Sequence, residues 1–239
     1  NVWIKQIARP VVILSAAVSV AFTTQTMESP AIAQWQTADP HVFWGEIAPA
    51  EHVVQIYEND ESFLTILEAF VSSGLTAGEC VVLIATSAHT TALTRRLCDN
   101  GFAVADLSAD DQLILLDAEE ILAQFMVNGW PEAQLFNRAV SSIIRRAKHR
   151  NRPVRAFGEM VALLWAKGEI AATVHLENLW NRFCETQAFC LFCAYPRNGF
   201  TQDVNSSAHT ICCAHSKMIS GEHRSETKIF YKSAPEQAI

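Results

Sequence analysis

The sequence lacks two motifs that would mark common kinds of enzyme. The loop after its most apolar stretch reads IATSAHTTAL (84–93) and contains neither glycine nor lysine. Without glycines the backbone cannot easily wrap a phosphate, and without lysine the γ-phosphate loses its usual partner. No Gly-x-Ser-x-Gly sequence is present, so an esterase is poorly supported. These absences argue against nucleotide hydrolysis and ester hydrolysis by their usual routes.

Charge is also scarce, and its balance is acidic. Only 18% of the 239 residues are charged, and the net charge is −7. Such a chain has no general attraction for nucleic acids or anionic membranes. Six lysines and arginines crowd positions 145–155. They suit the carboxyl end of a helix and the solvated loop after it, since cations there complement the helix dipole. We therefore expect no direct nucleic-acid partner.

The seven cysteines show no disulfide framework, because their number is odd and their spacing is irregular. This favours a reduced, cytoplasmic protein. Cys190 and Cys193 have C-x-x-C spacing, and Cys212, Cys213 and His215 follow downstream. Residues three apart on a strand point to opposite faces, so Cys190 and Cys193 cannot easily close on one ion. The prediction is no metal and no cofactor.

The apolar run near the N-terminus is short. It covers 11–22, follows Lys5 and Arg9, and precedes Ala-Ile-Ala at 31–33. A membrane span needs about 20 apolar residues, whereas a charged flank, a short apolar core and A-x-A outline a secretory signal. We expect residues 1–45 to be a signal-like or disordered leader outside the fold. Export or anchoring through residues 5–33 is the alternative to a cytoplasmic location.

Strand-like and helix-like segments alternate over the rest of the chain. The predicted strands are 51–57, 79–86, 113–116, 154–157 and 189–195, and the predicted helices include 63–71, 87–98, 121–127, 133–148 and 207–218. Such alternation is typical of an α/β protein with a mostly parallel sheet flanked by helices. With no internal repeat and no low-complexity linker, the sequence predicts one domain over 46–220 and a loosely ordered tail over 221–239.

Candidate site residues lie near the expected carboxyl ends of the strands, where parallel sheets bind ligands. Asp117 ends an apolar strand three residues before Glu120, and we interpret it as a helix cap rather than a magnesium ligand. Arg155 lies within a predicted buried strand, where a charge needs a partner. Glu159 and Glu177 are its expected partners, because one guanidinium can serve two carboxylates. The full predicted ligand-binding set is His52, Tyr57, Thr86, Arg155, Glu159, Trp165, Glu177, Trp180 and Tyr195.

With these segments in view, the chain from about 51 to 218 resembles the MEDS family, the methanogen/methylotroph sensory domain of a dichloromethane-responsive regulator. The matching segments are HVVQIYENDESFL, FVSSGLTAGECVVLIAT, LILLDAEEILAQFMVNGWP, VRAFGEMVALLWAKGE, LENLWN, LFCAYP and ICCAHS. The resemblance implies a RecA-like core without a working phosphate-binding loop. It also implies a sensor of small molecules, often one-carbon or hydrocarbon derivatives.

The expected function is therefore a non-catalytic sensory domain that binds a small molecule. It would signal to a separate regulatory partner, such as a histidine kinase or a transcription regulator, and homodimerisation stays open. The alternative is an enzyme, either a degenerate nucleotide-binding protein or a hydrolase that uses Glu159 as an acid or base.

Overall fold

The fold is centred on an eight-stranded sheet. A computed structural model of the protein describes residues 35–38, 51–197, 211, 215–220 and 228–232. The strand order is β1-β10-β9-β2-β8-β7-β3-β4. The six strands from β9 to β4 are parallel, while β10 and β1 join the β9 edge in antiparallel pairing. This is the predicted α/β architecture with a mostly parallel sheet flanked by helices.

The elements follow the alternation of the sequence. The strands are β1 (Trp35–Ala38), β2 (His52–Tyr57), β3 (Cys80–Ala85), β4 (Leu113–Asp117), β5 (Met126–Val127), β6 (Trp130–Pro131), β7 (Val154–Gly158), β8 (Cys190–Pro196), β9 (Lys217–Ser220) and β10 (Lys228–Lys232). The helices are α1 (Asp60–Thr76), α2 (Ser87–Asp99), α3 (Val104–Ala109), α4 (Ala118–Ala123), α5 (Ala133–Ala147), α6 (Met160–Ala166) and α7 (Ile170–Gln187). Strands β5 and β6 form a separate two-stranded hairpin.

Two helices begin at residues whose side chains cap their first turn. The Asn59 side chain accepts a hydrogen bond of 2.9 Å from the Ser62 amide at the start of α1. Asp117 accepts from the amides of Glu119 and Glu120 at 2.9 and 3.0 Å. These contacts satisfy amides that a helix leaves without an internal partner. Asp117 is thus the cap of α4, as the sequence indicated.

Two predicted helices are wrong in extent. The helix expected over 121–127 ends at Ala123, and Met126–Val127 pairs with Trp130–Pro131 as a hairpin around Asn128-Gly129. Both hairpin loop residues have positive φ, 50° and 79°, which suits Asn-Gly. The helix expected over 207–218 cannot reach Met218, because Lys217–Ser220 is strand β9, parallel to β2. Most of that predicted helix lies outside the described residues.

The expected leader and tail each contain one strand of the sheet. Residues 35–38 pair with 229–232, and 228–231 pair with 217–220. Two short strands of the sheet therefore fall within the expected leader and the expected loosely ordered tail, and the domain boundaries stay predictions. The proposed signal or anchor at 5–33 lies outside the described residues. Within the part that the structure describes, no helix is both long and apolar enough to cross a bilayer.

The sheet separates two hydrophobic cores, one on each face. Helices α1, α2 and α3 cover the face to which Phe157 and Phe192 point. Helices α4 to α7 cover the other face, to which Ala156, Cys193 and Tyr195 point. Because successive strand residues alternate between faces, neighbours in the sequence of β7 or β8 enter different cores. This alternation decides which of the polar residues can meet.

Arg155 lies on the α1 face and is not paired as the sequence analysis expected. Its guanidinium forms a salt bridge with Glu79, donates to the Phe70 carbonyl at 2.8 Å, and lies over the Phe70 ring at 5.1 Å. Glu177 belongs to α7, which packs on the opposite face of the sheet. The expected cluster of Arg155 with Glu159 and Glu177 is therefore wrong.

Gly74 of α1 leaves space for the Arg155 side chain. A Cβ atom on Gly74 would lie 2.6 Å from both Cδ and Nε of Arg155. Real Cβ atoms do not come that close, so a side chain at position 74 would force the Arg155 side chain to shift. Glycine at this position is a packing requirement of the buried charge.

We predict that Arg155→Ala destabilises the protein by roughly 3–5 kcal/mol, the usual cost of breaking a buried ion pair. Urea unfolding of the wild type and the variant measures it. Arg95→Ala, a change at an exposed arginine of α2, is the matched control and is expected to stay within about 0.5 kcal/mol of the wild type. Equal effects of the two substitutions would contradict a structural role for Arg155.

Candidate functional site

The structure divides the predicted ligand-binding residues between different places. Tyr57, Thr86 and Glu159 meet at the carboxyl ends of β2, β3 and β7. His52, Glu177 and Tyr195 meet inside the core under α7. The remaining three, Arg155, Trp165 and Trp180, belong to neither group. We call the first group, with His89, the carboxyl-end group, and the second, with Cys193 and His215, the buried histidine cluster.

Glu159 is the centre of the carboxyl-end group. One carboxylate oxygen, Oε2, accepts a hydrogen bond of 2.7 Å from the Thr86 amide. The other, Oε1, lies 2.7 Å from His89 Nδ1 and 3.4 Å from the Thr86 hydroxyl. Its backbone amide donates to the Ile84 carbonyl at 2.9 Å. Glu159 therefore ties the end of β7 to the loop between β3 and α2.

The electrostatics at the start of α2 favour a carboxylate there. Helix α2 begins at Ser87, and Thr86 is its N-cap. The free amides and the positive end of the dipole at a helix start attract anions. In a phosphate-binding loop the anion is the phosphate. Here the protein's own Glu159 carboxylate lies at the helix start.

His89 belongs to this group but is absent from the predicted set. It lies in the first turn of α2 and is half-buried, and its ring also contacts the edge of Phe63 at a centroid distance of 4.8 Å. The hydrogen bond to Glu159 raises the pKa of His89, burial opposes this, and the charges of Glu159 and Asp60 add to the increase. The only sequence signal was a histidine just after the end of a buried strand.

Tyr57 completes the carboxyl-end group from β2. Its ring stacks on Phe63 with centroids 4.8 Å apart. Burial raises the pKa of its hydroxyl, and the negative charges of Glu159 and Asp60 raise it further. Tyr57 is thus a neutral hydrogen-bonding group beside a negative one at physiological pH.

The buried histidine cluster brings four donor side chains together. His52 Nε2 lies 3.3 Å from Cys193 Sγ and 3.5 Å from Glu177 Oε2. His215 Nε2 lies 3.6 Å from the same carboxylate oxygen. The four residues are at most 2% exposed. The two imidazole rings are tilted by 42°, with centroids 4.0 Å apart.

Hydrogen bonds around the cluster fix these side chains. Tyr195 donates its hydroxyl to Glu177 Oε1. His215 Nδ1 lies 2.6 Å from the Ile211 carbonyl, so Nδ1 carries the proton and Nε2 faces Glu177 as a bare nitrogen. The Ser216 amide donates to the His52 carbonyl at 2.7 Å, and the His52 amide donates to the Ser216 hydroxyl at 3.2 Å. These backbone contacts hold His52 and His215 side by side.

Burial shifts the acid–base properties of the cluster toward neutral forms. The pKa of Glu177 rises to about 8 through burial, although the Tyr195 hydroxyl lowers it. Burial lowers the pKa of His215 to about 4, against the effect of its bond to Ile211. Burial also raises the pKa of the Cys193 thiol well above its ordinary value. In the absence of a cation, these three groups are mainly uncharged near pH 7.

Trp165 and Trp180 are core residues. Trp165 packs edge-to-face on Tyr195 at 5.8 Å, and Trp180 packs on Phe136 at 5.0 Å. Both are at most 2% exposed. Of the two interpretations that the sequence allowed, the structure favours the core interpretation over a ligand platform.

A surface cavity of about 390 Å³ lies between α4, α6 and the β5–β6 hairpin. It is lined by Glu119, Leu122, Ala123, Met126, Gly129, Leu164, Lys167 and Glu169. Its size is within the range of small-molecule sites, which are mainly apolar with a few polar groups. None of the nine predicted residues lines it. Sequence reasoning missed it because its walls come from elements whose mutual packing no local pattern reveals.

A family model described as the MEthanogen/methylotroph, DcmR Sensory domain, MEDS, matches residues 51–215. This range includes the core of the sheet and all residues of both groups. The chain belongs to the MEDS family. The resemblance inferred from the sequence segments is thereby confirmed. A comparison with curated proteins gives no match.

Solved structures show the same type of fold as this MEDS domain. A KaiC-like protein from the hyperthermophilic archaeon Pyrococcus horikoshii OT3 superposes with a TM-score of 0.51 at 12% identity, over 79% of this chain and 81% of its own. A second protein from P. horikoshii OT3 superposes with a TM-score of 0.51 at 14% identity, over 84% and 94%. At these identities the likeness concerns the fold alone, an α/β core of RecA type.

We predict that His89 stabilises this MEDS domain more at low pH than at high pH. Its folded-state pKa is raised, so its contribution is complete below the unfolded-state value of about 6.5 and disappears as the pH rises through the folded-state value. The stability difference between wild type and His89→Asn should therefore be larger at about pH 5.5 than at about pH 9. Urea unfolding at both pH values measures it.

Glu159→Gln provides the control for this pH dependence, because it removes the charge that His89 faces. In that background, His89→Asn should have a smaller effect that changes less with pH. An undiminished pH dependence would show that Glu159 is not the group responsible.

Proposed function

We propose that this MEDS domain is a non-catalytic sensor that binds a small organic molecule and signals to a separate regulatory protein. The observation that carries the proposal is the family match over 51–215. The sensory description belongs to the whole family, and one-carbon or hydrocarbon derivatives are the ligand class that we propose. The partner that we propose is of the histidine-kinase or transcription-regulator type.

The geometry at Glu159 supports a binding role over nucleotide chemistry. Both oxygens of the carboxylate are engaged by Thr86 and His89 at the start of α2. A nucleotide phosphate in this place would meet a negative charge instead of free amides, and like charges a few ångströms apart repel strongly in a partly buried site. No observation favours the hydrolase alternative. Both carboxylate oxygens of Glu159 already accept hydrogen bonds from Thr86 and His89, which suits a structural role.

The cavity between α4, α6 and the β5–β6 hairpin is the proposed ligand site. All eight lining residues fall within 113–131 and 154–169, two of the segments that carry the family resemblance. Leu122, Met126 and Leu164 offer apolar surface, while Lys167 supplies a cation and Glu119 and Glu169 supply carboxylates. This combination suits a small molecule with an apolar part and a polar group that can bond to a charged side chain.

The hairpin links the cavity to exposed apolar side chains on the surface of the domain. Met126 and Gly129 line the cavity, and Val127 and Trp130, which neighbour them in the sequence, are 44% and 46% exposed. They are the large apolar side chains that stand out as exposed among the described residues. In our proposal, a ligand that moves this hairpin changes the surface that the partner reads.

We predict that a one-carbon compound such as dichloromethane or methanol stabilises the purified domain against heat. A ligand at 100 times its Kd adds about 2.7 kcal/mol to the free energy of unfolding. Ala123→Trp, which places an indole in the cavity, should weaken this binding by at least roughly tenfold, a loss of about 1.4 kcal/mol. Thermal unfolding across a ligand series measures both effects.

Ala105→Trp is the matched control, because Ala105 is an exposed residue of α3 on the opposite side of the sheet. It should leave ligand binding unchanged. If both tryptophan variants bind the compound like the wild type, the cavity is not the binding site.

We further predict that the protein neither binds Mg-ATP tightly nor hydrolyses it, because Glu159 stands where a phosphate would bind. Calorimetric titration and a phosphate-release assay test this, with Asp117→Asn as the reference for contaminating activity. Magnesium-dependent turnover clearly above that of the reference variant would contradict the prediction.

A further inference from the structure

Four buried side chains, one from α7 and three beneath this helix, bring their donor atoms close together. The atoms belong to His52, Glu177, Cys193 and His215, and all of them lie within 4.8 Å of one another. We propose that these four residues form a binding site for a divalent transition-metal ion of the zinc type. The site stands on its own geometry and does not depend on the proposed sensory function.

Three of the six distances between the donor atoms fit tetrahedral coordination, and all six lie within 4.8 Å. Zinc bonds of about 2.0–2.3 Å to nitrogen, oxygen and sulfur place neighbouring ligand atoms of a tetrahedron about 3.3–3.8 Å apart. The contacts from His52 Nε2 are 3.3 Å to Cys193 Sγ and 3.5 Å to Glu177 Oε2. The contact from His215 Nε2 to Glu177 Oε2 is 3.6 Å. An ion at the centre would draw the other three pairs, which lie within 4.8 Å, into the same range.

The donor set also matches the charge of such an ion. Two neutral imidazoles, one thiolate and one carboxylate are all established zinc ligands. On binding, the Cys193 thiol and the Glu177 carboxyl group release their protons to water, and the resulting thiolate and carboxylate together carry two negative charges, which neutralise a divalent cation. A neutral complex avoids the large cost of leaving an unbalanced charge in a low-dielectric interior. Thiolate and imidazole together favour zinc or a similar transition metal over magnesium or calcium.

Outer contacts already hold two of the ligands in the required orientation. The Ile211 carbonyl fixes the proton of His215 on Nδ1 and leaves Nε2 for the ion. The Tyr195 hydroxyl holds Glu177 Oε1 and leaves Oε2 for the ion. Metal-binding histidines and carboxylates are commonly oriented in this way by a second layer of hydrogen bonds.

Two of the proposed ligand atoms have no hydrogen-bond partner among the described residues. They are Glu177 Oε2 and His215 Nε2, on side chains that are 99% and 100% buried. A buried polar atom without a partner costs roughly 1–3 kcal/mol. An ion bound between them removes that cost for both atoms at once.

Cys193 belongs to this site without Cys190, the other cysteine of the C-x-x-C spacing. Cys190 points into the core under α1 and Cys193 into the core under α7, so the two sulfurs cannot share an ion. That part of the sequence argument is correct. The prediction of no metal rested mainly on that pair, and it did not consider Cys193 together with His52 of β2, Glu177 of α7 and His215 just before β9.

The test is a Co²⁺ titration of the full chain after removal of metal with a chelator. Cobalt replaces zinc in tetrahedral sites and reports its ligands through visible absorption. We expect one cobalt per chain, the strong visible bands of tetrahedral Co²⁺, and a near-ultraviolet thiolate-to-cobalt charge-transfer band. Failure of the folded wild type to take up stoichiometric cobalt with these bands would overturn the proposal.

Variants locate the site. Cys193→Ser should lose the charge-transfer band, whereas Cys190→Ser, three residues away on the other face of the same strand, should keep it. Tyr195→Phe leaves all four ligands in place and should weaken binding by about 10–100-fold, as expected for an outer contact. Retention of the band in Cys193→Ser, or its loss in Cys190→Ser, would assign the cobalt elsewhere and overturn the proposal.

Circular dichroism separates loss of the site from loss of the fold. If Cys193→Ser does not fold, His215→Asn takes its place, since it removes one ligand and retains much of the side-chain volume. A folded His215→Asn protein that binds Co²⁺ as tightly as the wild type, with unchanged bands, would exclude His215 and with it the proposed set.

Discussion

The alternation of side chains along β7 and β8 is the constraint on which the rest of the structure depends. Each strand is buried on both faces, so every residue must suit one core or the other. Arg155 and Cys190 face α1, while Cys193 and Tyr195 face α7. A polar side chain can then be satisfied only by partners that reach its own face. This is why Arg155 pairs with Glu79 and not with Glu177, and why Cys193 joins two histidines and not Cys190.

At the ends of these strands a different constraint applies, because the start of α2 needs a negative group. In RecA-type cores with a phosphate-binding loop, the nucleotide supplies it. In this chain Glu159 supplies it, and Thr86 and His89 complete its contacts. A single carboxylate thereby holds β3, β7 and α2 together. The fold keeps the architecture of its structural neighbours.

The sequence predicted the fold well because its signals are local. Continuous apolar runs mark the buried strands, and Asn59 and Asp117 mark helix starts through bonds to amides two or three residues away. The two groups of polar residues were predicted only in part, because their contacts are not local. Glu159 lies 70 residues from His89, and His52 lies 141 residues from Cys193. His52, Glu177 and Tyr195 were each suspected, but no pattern along the chain shows that they meet one another with Cys193 and His215.

Helix α7 connects the two proposed sites physically. His175 stacks on Trp130 of the hairpin at a centroid distance of 4.9 Å, and Glu177, two residues later, enters the buried histidine cluster. The hairpin forms one wall of the cavity.

An ion bound to Glu177 would fix the rotation and height of α7, because a coordinated carboxylate has little freedom to move. It would thereby fix the surface on which Trp130 rests, so that a ligand in the cavity would displace the hairpin against a rigid support. On this view a bound metal would have a structural purpose in sensing: it would hold the support of the hairpin still while the hairpin responds.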